Sequence, residues 1–267
     1  MRKNYNYNLI FGCCITAFMA VVIIIGFFYT PYSPSAINAA DKLNTPSISH
    51  ILGTDNFGRD IFSRILEGAG TTMTIAAATV LFGIVVGSTI GAITGYFGGI
   101  FDEVLMRICD VITVFPSILL ALVLISIIGP GKYNIIIALG ILFVPSYAKV
   151  VRTEFARQKE LDYVRSAKLM GVGHFRIMFV HILPNIKTVL FSSIAIGFNN
   201  AVLAEASMSY LSIGVQAPDA SLGRMLSESQ SYFFSAPWYA LSVGGTIILL
   251  ILGFSLISEG LGDRGRA

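Results

Sequence analysis

Six long apolar runs, separated by short polar segments, set the pattern of hydrophobic and polar positions along this chain. An α-helix rises ~1.5 Å per residue, so about 20 apolar residues cross a ~30 Å hydrocarbon core. A membrane β-barrel would instead show segments of about 10 residues with alternating polarity, whereas these runs are continuous. We therefore predict an all-α polytopic membrane protein with about six transmembrane helices. The predicted spans are residues 9–29, 72–97, 108–128, 134–151, 187–205 and 238–258, within a single membrane domain over residues 1–267.

The first run, Leu9 to Tyr29, has a cleaved signal peptide as its alternative interpretation. The apolar core of a signal peptide is about 7–15 residues long and precedes a cleavage site of small residues. This run is longer, and Thr30, Pro31 and Tyr32 follow it. We predict that it is an uncleaved membrane helix.

The composition supports the membrane assignment. Hydrophobic residues make up 55% of the chain, charged residues make up 12%, and the mean hydropathy is +0.76. A soluble domain carries about 25% charged residues. The three cysteines form no C-x-x-C pair and the three histidines are dispersed. We therefore expect no disulfide, no metal site and no cofactor.

The positions of lysine and arginine predict the orientation. If the N-terminus is cytoplasmic, 13 of the 18 basic residues fall on the cytoplasmic side and five on the outer side. An excess of lysine and arginine in cytoplasmic loops is the rule for membrane proteins. We predict a multi-pass protein of the cell (inner or cytoplasmic) membrane, with both termini and residues 152–186 in the cytoplasm.

Residues 152–186 form the most charged segment of the chain. Apolar positions such as Val164 and Ala167 recur there at helical spacing, and Gly171 interrupts the pattern. Pro184 precedes the next apolar run and is predicted to start its helix. A short amphipathic helix that ends in glycine suits insertion into a groove on a partner protein. The alternative, a helix on the membrane surface or in solvent, stays open at this point.

Within this segment, the run Asp162–Gly171 followed by His181–Asn185 resembles the coupling loop of ABC importer permeases. The family pattern is Glu-Ala-Ala, three residues, Gly, and later Leu-Pro; Arg165 stands here in place of the glutamate. We refer to residues 152–186 as the coupling loop. The residues that the resemblance implies for coupling to an ATPase are Asp162, Arg165, Ala167, Gly171 and Pro184.

Other segments resemble the dipeptide, oligopeptide and nickel permeases, in particular their second or "C" component. They are residues 50–64, the Phe115–Pro116 pair and residues 204–216. The resemblance implies a type I ABC importer permease fold and one half of a translocation pathway for peptides, nickel or a related small solute. It also implies a homologous second permease subunit, two ATP-binding subunits, an extracytoplasmic solute-binding protein and surrounding membrane lipid, and no nucleic acid.

The chain contains no match to the phosphate-binding pattern G-x-x-x-x-G-K-[ST]. The run Gly129–Tyr133, Gly-Pro-Gly-Lys-Tyr, lacks both the glycine spacing and the hydroxyl residue. We therefore expect that the chain is not an enzyme and that ATP is hydrolysed in separate subunits. One alternative is a secondary transporter driven by an ion gradient, which needs ionisable residues buried in its spans. Another is an assembly or receptor component without transport.

Two acidic residues lie at the ends of predicted spans. Asp110, near the start of the third span, either lines the pathway or forms an interfacial pair with Arg107, three residues earlier. Glu205 closes the fifth span on the predicted outer side. It either contacts the solute or the binding protein, or braces the outer loop.

The predicted outer loop contains a second group of charged residues, Asp55, Arg59, Asp60 and Arg64. They either dock the binding protein or build an internal hydrogen-bonded fold. Arginine and aspartate in a glycine-framed turn are typical of the second arrangement.

Overall fold

The computed structural model describes residues 7–266, with side chains for residues 7–260, and this part of the chain is helical without a β-strand. Its helices are α1 Tyr7–Phe28, a 3₁₀ turn Ala39–Asp41, α2 Ile61–Phe97, α3 Gly99–Val114, α4 Ser117–Ile128, α5 Lys132–Gln158, α6 Asp162–Leu169, α7 His174–Arg176, α8 Lys187–Tyr210, α9 Leu222–Gln230 and α10 Pro237–Arg266. The chain termini, which the charge pattern predicts to be cytoplasmic, lie outside the described residues.

Five helical segments within residues 7–260 are long and apolar enough to cross a membrane. They are α1, α2, α5, the run His174–Tyr210 that includes α7 and α8, and α10 as far as Gly260. The pair α3 and α4 passes the same test together but is bent by 95°. The prediction of an all-α protein with about six membrane helices is confirmed.

The predicted span over residues 108–128 is shared between α3 and α4, which meet at a bend of 95°. Phe115 is extended, with φ −78° and ψ 140°, and Pro116 follows it. Proline disfavours the helical conformation of the residue before it and has no N–H to continue the helix. The Phe115–Pro116 pair therefore divides the span into two helices.

The packing of α2 against α5 shows that this bent pair carries the chain across the membrane. Gly87 lies against Val144, and Gly95 lies against Arg152, eight residues farther along each helix. The two helices are therefore parallel and end on the same side of the bundle. The chain can reach the start of α5 only by crossing back through α3 and α4, which makes six crossings.

The helix α2 begins at Ile61, eleven residues before the predicted start at residue 72. Asp60 caps its first turn, because the carboxylate accepts a 2.8 Å hydrogen bond from the backbone N–H of Ser63. Arg64, which the sequence analysis assigns to the outer loop, lies in the first turn of α2 and is buried against protein. A charged side chain is tolerated there because its partners lie inside the bundle.

The first and last membrane helices, α1 and α10, pack antiparallel. Leu9 lies against Gly260, and Thr16 lies against Gly253. The last helix therefore returns to the side on which the first begins. We call this side the α6 end of the bundle, because α6 follows α5 there, and the opposite side the α9 end.

Candidate functional site

The short helix α6 lies at one end of the bundle and is closed by Gly171. The N–H of Gly171 donates to the carbonyl of Lys168 at 3.0 Å, and the N–H of Val172 donates to that of Ala167 at 3.1 Å. These two bonds form a Schellman motif, which requires a left-handed residue after the helix. Gly171 has φ +79° and supplies it without steric cost.

One face of α6 anchors the helix to the bundle. Val164 and Ala167 are 0% and 2% exposed, and both belong to a buried cluster with Phe155 and Tyr96. Ala167 is therefore buried between α6 and the rest of the bundle, so only its exposed neighbours can contact a partner. Asp162 and Arg165 are exposed on the other face.

The exposed face of this region is apolar at its tip. Leu169 and Met170 are 89% and 75% exposed, and Phe175 in α7 is 73% exposed. The basic residues Arg165 and Lys168 precede them in the sequence, and Arg176 follows them. An apolar patch with a polar rim is typical of a surface that binds another protein.

Pro184 lies inside a helical run, which corrects the prediction that it starts a new helix. From α7 the chain continues through a π-helical turn, Ile177–Ile182, and a 3₁₀ turn, Leu183–Ile186, into α8. A proline in a regular α-helix lacks a donor and clashes with the carbonyl four residues earlier, here that of Val180. The irregular turns accommodate Pro184, which is exposed.

A groove between α4, α5 and α8 is the second feature of interest, with a cavity of about 340 Å³. Its polar lining consists of Ser117, Ser146, Asn200 and Ser207, and its remaining lining residues are apolar. An adjoining cavity of about 190 Å³ shares Ser146 and Asn200 and extends the groove along α5 and α8. Uncharged hydroxyl and amide groups in such a groove can hydrogen-bond a solute without binding a bare ion.

Sequence reasoning missed these groove residues. Ser146 and Asn200 are uncharged polar residues in the middle of mostly apolar spans, and this was the signal that could have identified them. Their side chains turn toward the groove because the opposite faces of α5 and α8 pack against other helices. Tyr147, next to Ser146, is buried against Gly197 of α8.

Asp110 pairs with a different residue from the one predicted. Its carboxylate lies 2.8 Å from the ammonium group of Lys149 in α5, so the expected pair with Arg107 is corrected. Asp102, earlier in the same helix α3, holds Arg152 of α5 in a two-pronged ion pair with a second contact of 2.6 Å. Both acids thus join α3 to α5, and Asp110 is not among the residues that line the groove.

Glu205 is fully buried inside the bundle. Its carboxyl group accepts a 2.7 Å hydrogen bond from the hydroxyl of Ser209, and the hydroxyls of Thr72 and Ser221 face it. These groups come from α2, α8 and the start of α9. The position agrees with the bracing interpretation, because no surface is left for solute or a partner to touch.

The charged residues of the predicted outer loop form an internal network at the α9 end. Asp55 accepts a 2.6 Å hydrogen bond from Nε of Arg59, and both side chains are buried. Arg59 and Arg64 reach the same carboxylate oxygen of Glu228 in α9, at 3.0 and 3.1 Å. Asp60 caps α2, as described above. These residues therefore fold the loop onto α2 and α9, and they are not an exposed docking surface.

Metal ligands are not grouped in the part of the chain that the structure describes: no three His, Cys, Asp or Glu side chains there come close enough to hold an ion. The features that remain for function are the apolar tip beside α6 and the uncharged groove.

Comparison with known proteins relates these features to a family. Residues 87–264 match the model of the binding-protein-dependent transport system inner membrane component. The chain is 38% identical over 258 residues to the dipeptide transport system permease protein DppC of Alkalihalophilus pseudofirmus, covering 97% of this chain and 85% of the relative. It is 39% identical over 252 residues to the glutathione transport system permease protein GsiD of Pectobacterium atrosepticum, covering 92% and 83%.

The family match covers α6, the groove and the membrane helices from the last third of α2 onward. These comparisons support the importer hypothesis and not the alternative of an ion-gradient transporter. A multi-pass location in the inner membrane follows from the same family and from the apolar helices. The chain belongs to the family of binding-protein-dependent transport system inner membrane components, and it is a permease subunit of an ABC importer.

Proposed function

We propose that this chain forms half of the translocation pathway of an importer for small peptides or peptide-like solutes, and that its coupling loop receives mechanical work from ATP-binding subunits in the cytoplasm. The relatives are named for dipeptide and glutathione transport, which supports this class of solute. The sequence has no nucleotide-binding loop, so the energy is supplied from outside the chain.

The observation that carries this proposal is the division of α6 into a buried and an exposed face. Val164 and Ala167 face the protein, so α6 does not rest its apolar face on lipid. Leu169, Met170 and Phe175, which we call the apolar tip, are each at least 73% exposed. In a cytoplasmic loop this tip fits a hydrophobic groove on a partner, which is the recognition mode of an amphipathic helix.

The groove supports peptides over a free metal ion. Divalent nickel prefers imidazole, thiolate or carboxylate ligands, and the groove offers the hydroxyl and amide groups of Ser117, Ser146, Asn200 and Ser207 instead. These groups match the N–H and C=O groups of a peptide backbone. Nickel would pass this groove only inside an organic chelate.

The partners follow from this arrangement. A groove open on one side of a single permease is completed by a homologous second permease, and each permease engages one of two ATP-binding subunits. An extracytoplasmic binding protein delivers the solute at the α9 end. The orientation has the α6 end in the cytoplasm, in agreement with the excess of basic residues predicted for that side.

The contact with the ATPase is tested by the double substitution Leu169→Asp and Met170→Asp. We expect normal membrane insertion but loss of ATPase-subunit capture and of ATP-dependent dialanine uptake in proteoliposomes. Ile48→Asp is the matched control, since Ile48 is an exposed apolar residue of the loop between α1 and α2. It should retain ATPase capture. Wild-type capture by the double variant would refute the proposed contact.

The orientation is tested by cysteine labelling in a chain whose native cysteines are replaced. A cysteine at position 169 should react with an impermeant maleimide only in inverted vesicles, and one at position 48 only in intact spheroplasts. The opposite pattern would refute the cytoplasmic location of the coupling loop.

A further inference from the structure

We propose that Tyr96 and His174 are positioning residues that clasp the coupling loop to α2, so that α2 transmits the displacement of the loop across the bundle. This inference rests on the proposed function, because it assumes that the ATPase displaces the coupling loop. It identifies a route other than the two helices, α5 and α8, that continue the loop covalently.

The clasp lies where α2 ends. The hydroxyl of Tyr96 is hydrogen-bonded to Nδ1 of His174 at 2.9 Å, and the two residues are 78 positions apart. The His174 ring packs edge-on against the rings of Tyr96 and Phe97, with centroids 5.6 and 5.8 Å apart. The ammonium group of Lys168, at the end of α6, lies 5.3 Å from the centroid of the Tyr96 ring. Both α6 and α7 therefore hold the same tyrosine.

The buried cluster beneath α6 strengthens this attachment. Ala92 and Tyr96 of α2 belong to the same cluster as Val164 and Ala167 of α6 and Ile177. A displacement of α6 without α2 would open apolar surface and break the polar clasp. The two elements are therefore expected to move together.

Of the helices that leave this region, α2 is the one without a proline or an irregular turn. It is continuous over 37 residues, about 55 Å at ~1.5 Å per residue. The helix α5 contains Pro145 at its centre, and α8 is reached through the π-helical and 3₁₀ turns around Pro184. Prolines and π-helical turns are places where helices bend, and α2 contains neither, so it is the most regular of the three connections.

The far end of α2 is also fixed. Asp60 caps its first turn, and Arg64 is held by Glu228 of α9 at 3.1 Å. Between its ends, α2 lies in close parallel contact with α5, and α5 provides Phe143 and Ser146 to the groove. A displacement of α2 at Tyr96 would thus also displace the α5 side of the groove and the charged network at the α9 end.

The test uses the complete importer, with its partner subunits, in proteoliposomes in which dialanine uptake and ATP hydrolysis are measured together. Tyr96→Phe removes the hydroxyl and keeps the ring, and His174→Phe keeps a ring and removes Nδ1. Each should lower the dialanine taken up per ATP hydrolysed about fivefold, which corresponds to one hydrogen bond of about 1 kcal/mol. ATPase capture should be unchanged, because the apolar tip is intact.

Three further variants distinguish a clasp from general damage. The double variant Tyr96→Phe/His174→Phe should resemble either single variant, because both remove the same bond. His174→Asn places an amide near the position of Nδ1 and should recover most of the uptake ratio. Tyr133→Phe, an exposed tyrosine at the start of α5, should behave as wild type.

Wild-type uptake ratios in both single variants, or effects that multiply in the double variant, would overturn the clasp and leave the proposed function intact. A wild-type importer that shows no ATP-dependent uptake would refute the proposed function itself, and the clasp with it.

Discussion

Replacement of Glu228 by glutamine is expected to destabilise the α9 end of the bundle. The carboxylate accepts hydrogen bonds from Arg59 and Arg64 at 3.0 and 3.1 Å, from Nε of Arg224 at 3.2 Å and from the hydroxyl of Tyr239 at 3.2 Å. The substitution keeps the shape of the side chain and removes its charge. It also turns an amide N–H₂ group toward arginine donors.

The expected loss in the free energy of unfolding follows from the burial of Glu228 and its arginine partners. The side chains of Arg64 and Glu228 are 1% and 17% exposed. Removal of one member of a buried ion pair costs about 3–5 kcal/mol, because the other charge stays buried without compensation. Asp55 remains close to both Arg59 and Arg64 and compensates in part. We therefore expect the lower end of this range, about 3 kcal/mol.

The assay is thermal unfolding of the detergent-solubilised protein, followed by the fraction that stays monodisperse on size-exclusion chromatography. A loss of about 3 kcal/mol should lower Tm by roughly 6–12 °C. The control is Glu160→Gln, which removes the acid of the Arg165–Glu160 pair, 60% and 63% exposed. An exposed pair contributes less than about 1 kcal/mol, so its Tm should change by less than about 4 °C. Equal shifts in the two variants would refute the argument from burial.

Three more outcomes are expected. Gly91→Ala should lower Tm by several degrees, because its methyl group would collide with the backbone of Ala148 and overpacking costs about 1–3 kcal/mol. Gly244→Ala should leave Tm unchanged, because the added methyl group meets open space. A larger loss of Tm in Gly244→Ala than in Gly91→Ala would contradict the α2–α5 packing. Gly171→Ala should strain the left-handed C-cap by about 1–2 kcal/mol, so uptake assays should show reduced transport with unchanged amounts of protein in the membrane. Asn200→Leu should lower dialanine uptake while ATPase capture persists, and unchanged uptake would exclude this groove as the route.

Several features of the fold were predictable from the sequence because they depend on local chemistry. The length of an apolar run determines whether it can cross a membrane, so the helical class and the approximate number of membrane spans followed directly. Gly171 marked the end of α6, because few residues adopt a positive φ there. Phe115–Pro116 interrupts the third apolar run in the sequence, but its 95° bend appears only in the folded chain.

The glycines of α2 were an unused signal. Gly83, Gly87, Gly91 and Gly95 recur every fourth residue, a spacing that lets two membrane helices approach closely. The pattern indicates a tight helix contact, but it does not identify the partner helix or its direction. The parallel packing against α5 appears only in the folded chain.

Partners far apart in the chain explain the remaining differences between the predictions from the sequence and the structure. Arg64 was predicted to lie in the outer loop, but it is part of α2, and its carboxylate partner Glu228 lies 164 positions later. Asp110 meets Lys149 of α5 in place of the nearby Arg107. Glu205 reads as a surface acid at the end of a span, and the fold encloses it among hydroxyl groups.

The sequence by itself determined that the chain is a helical membrane protein of the importer family, with a short glycine-terminated helix in a charged loop, because run length, charge and motif are properties of neighbouring residues. Only the tertiary structure decided which charges are buried, which face of α6 is free, that α3 and α4 cross the membrane together, and that Tyr96 reaches His174. Those properties depend on contacts between residues far apart in the chain, and the energy of a polar group depends on the partners that it finds there.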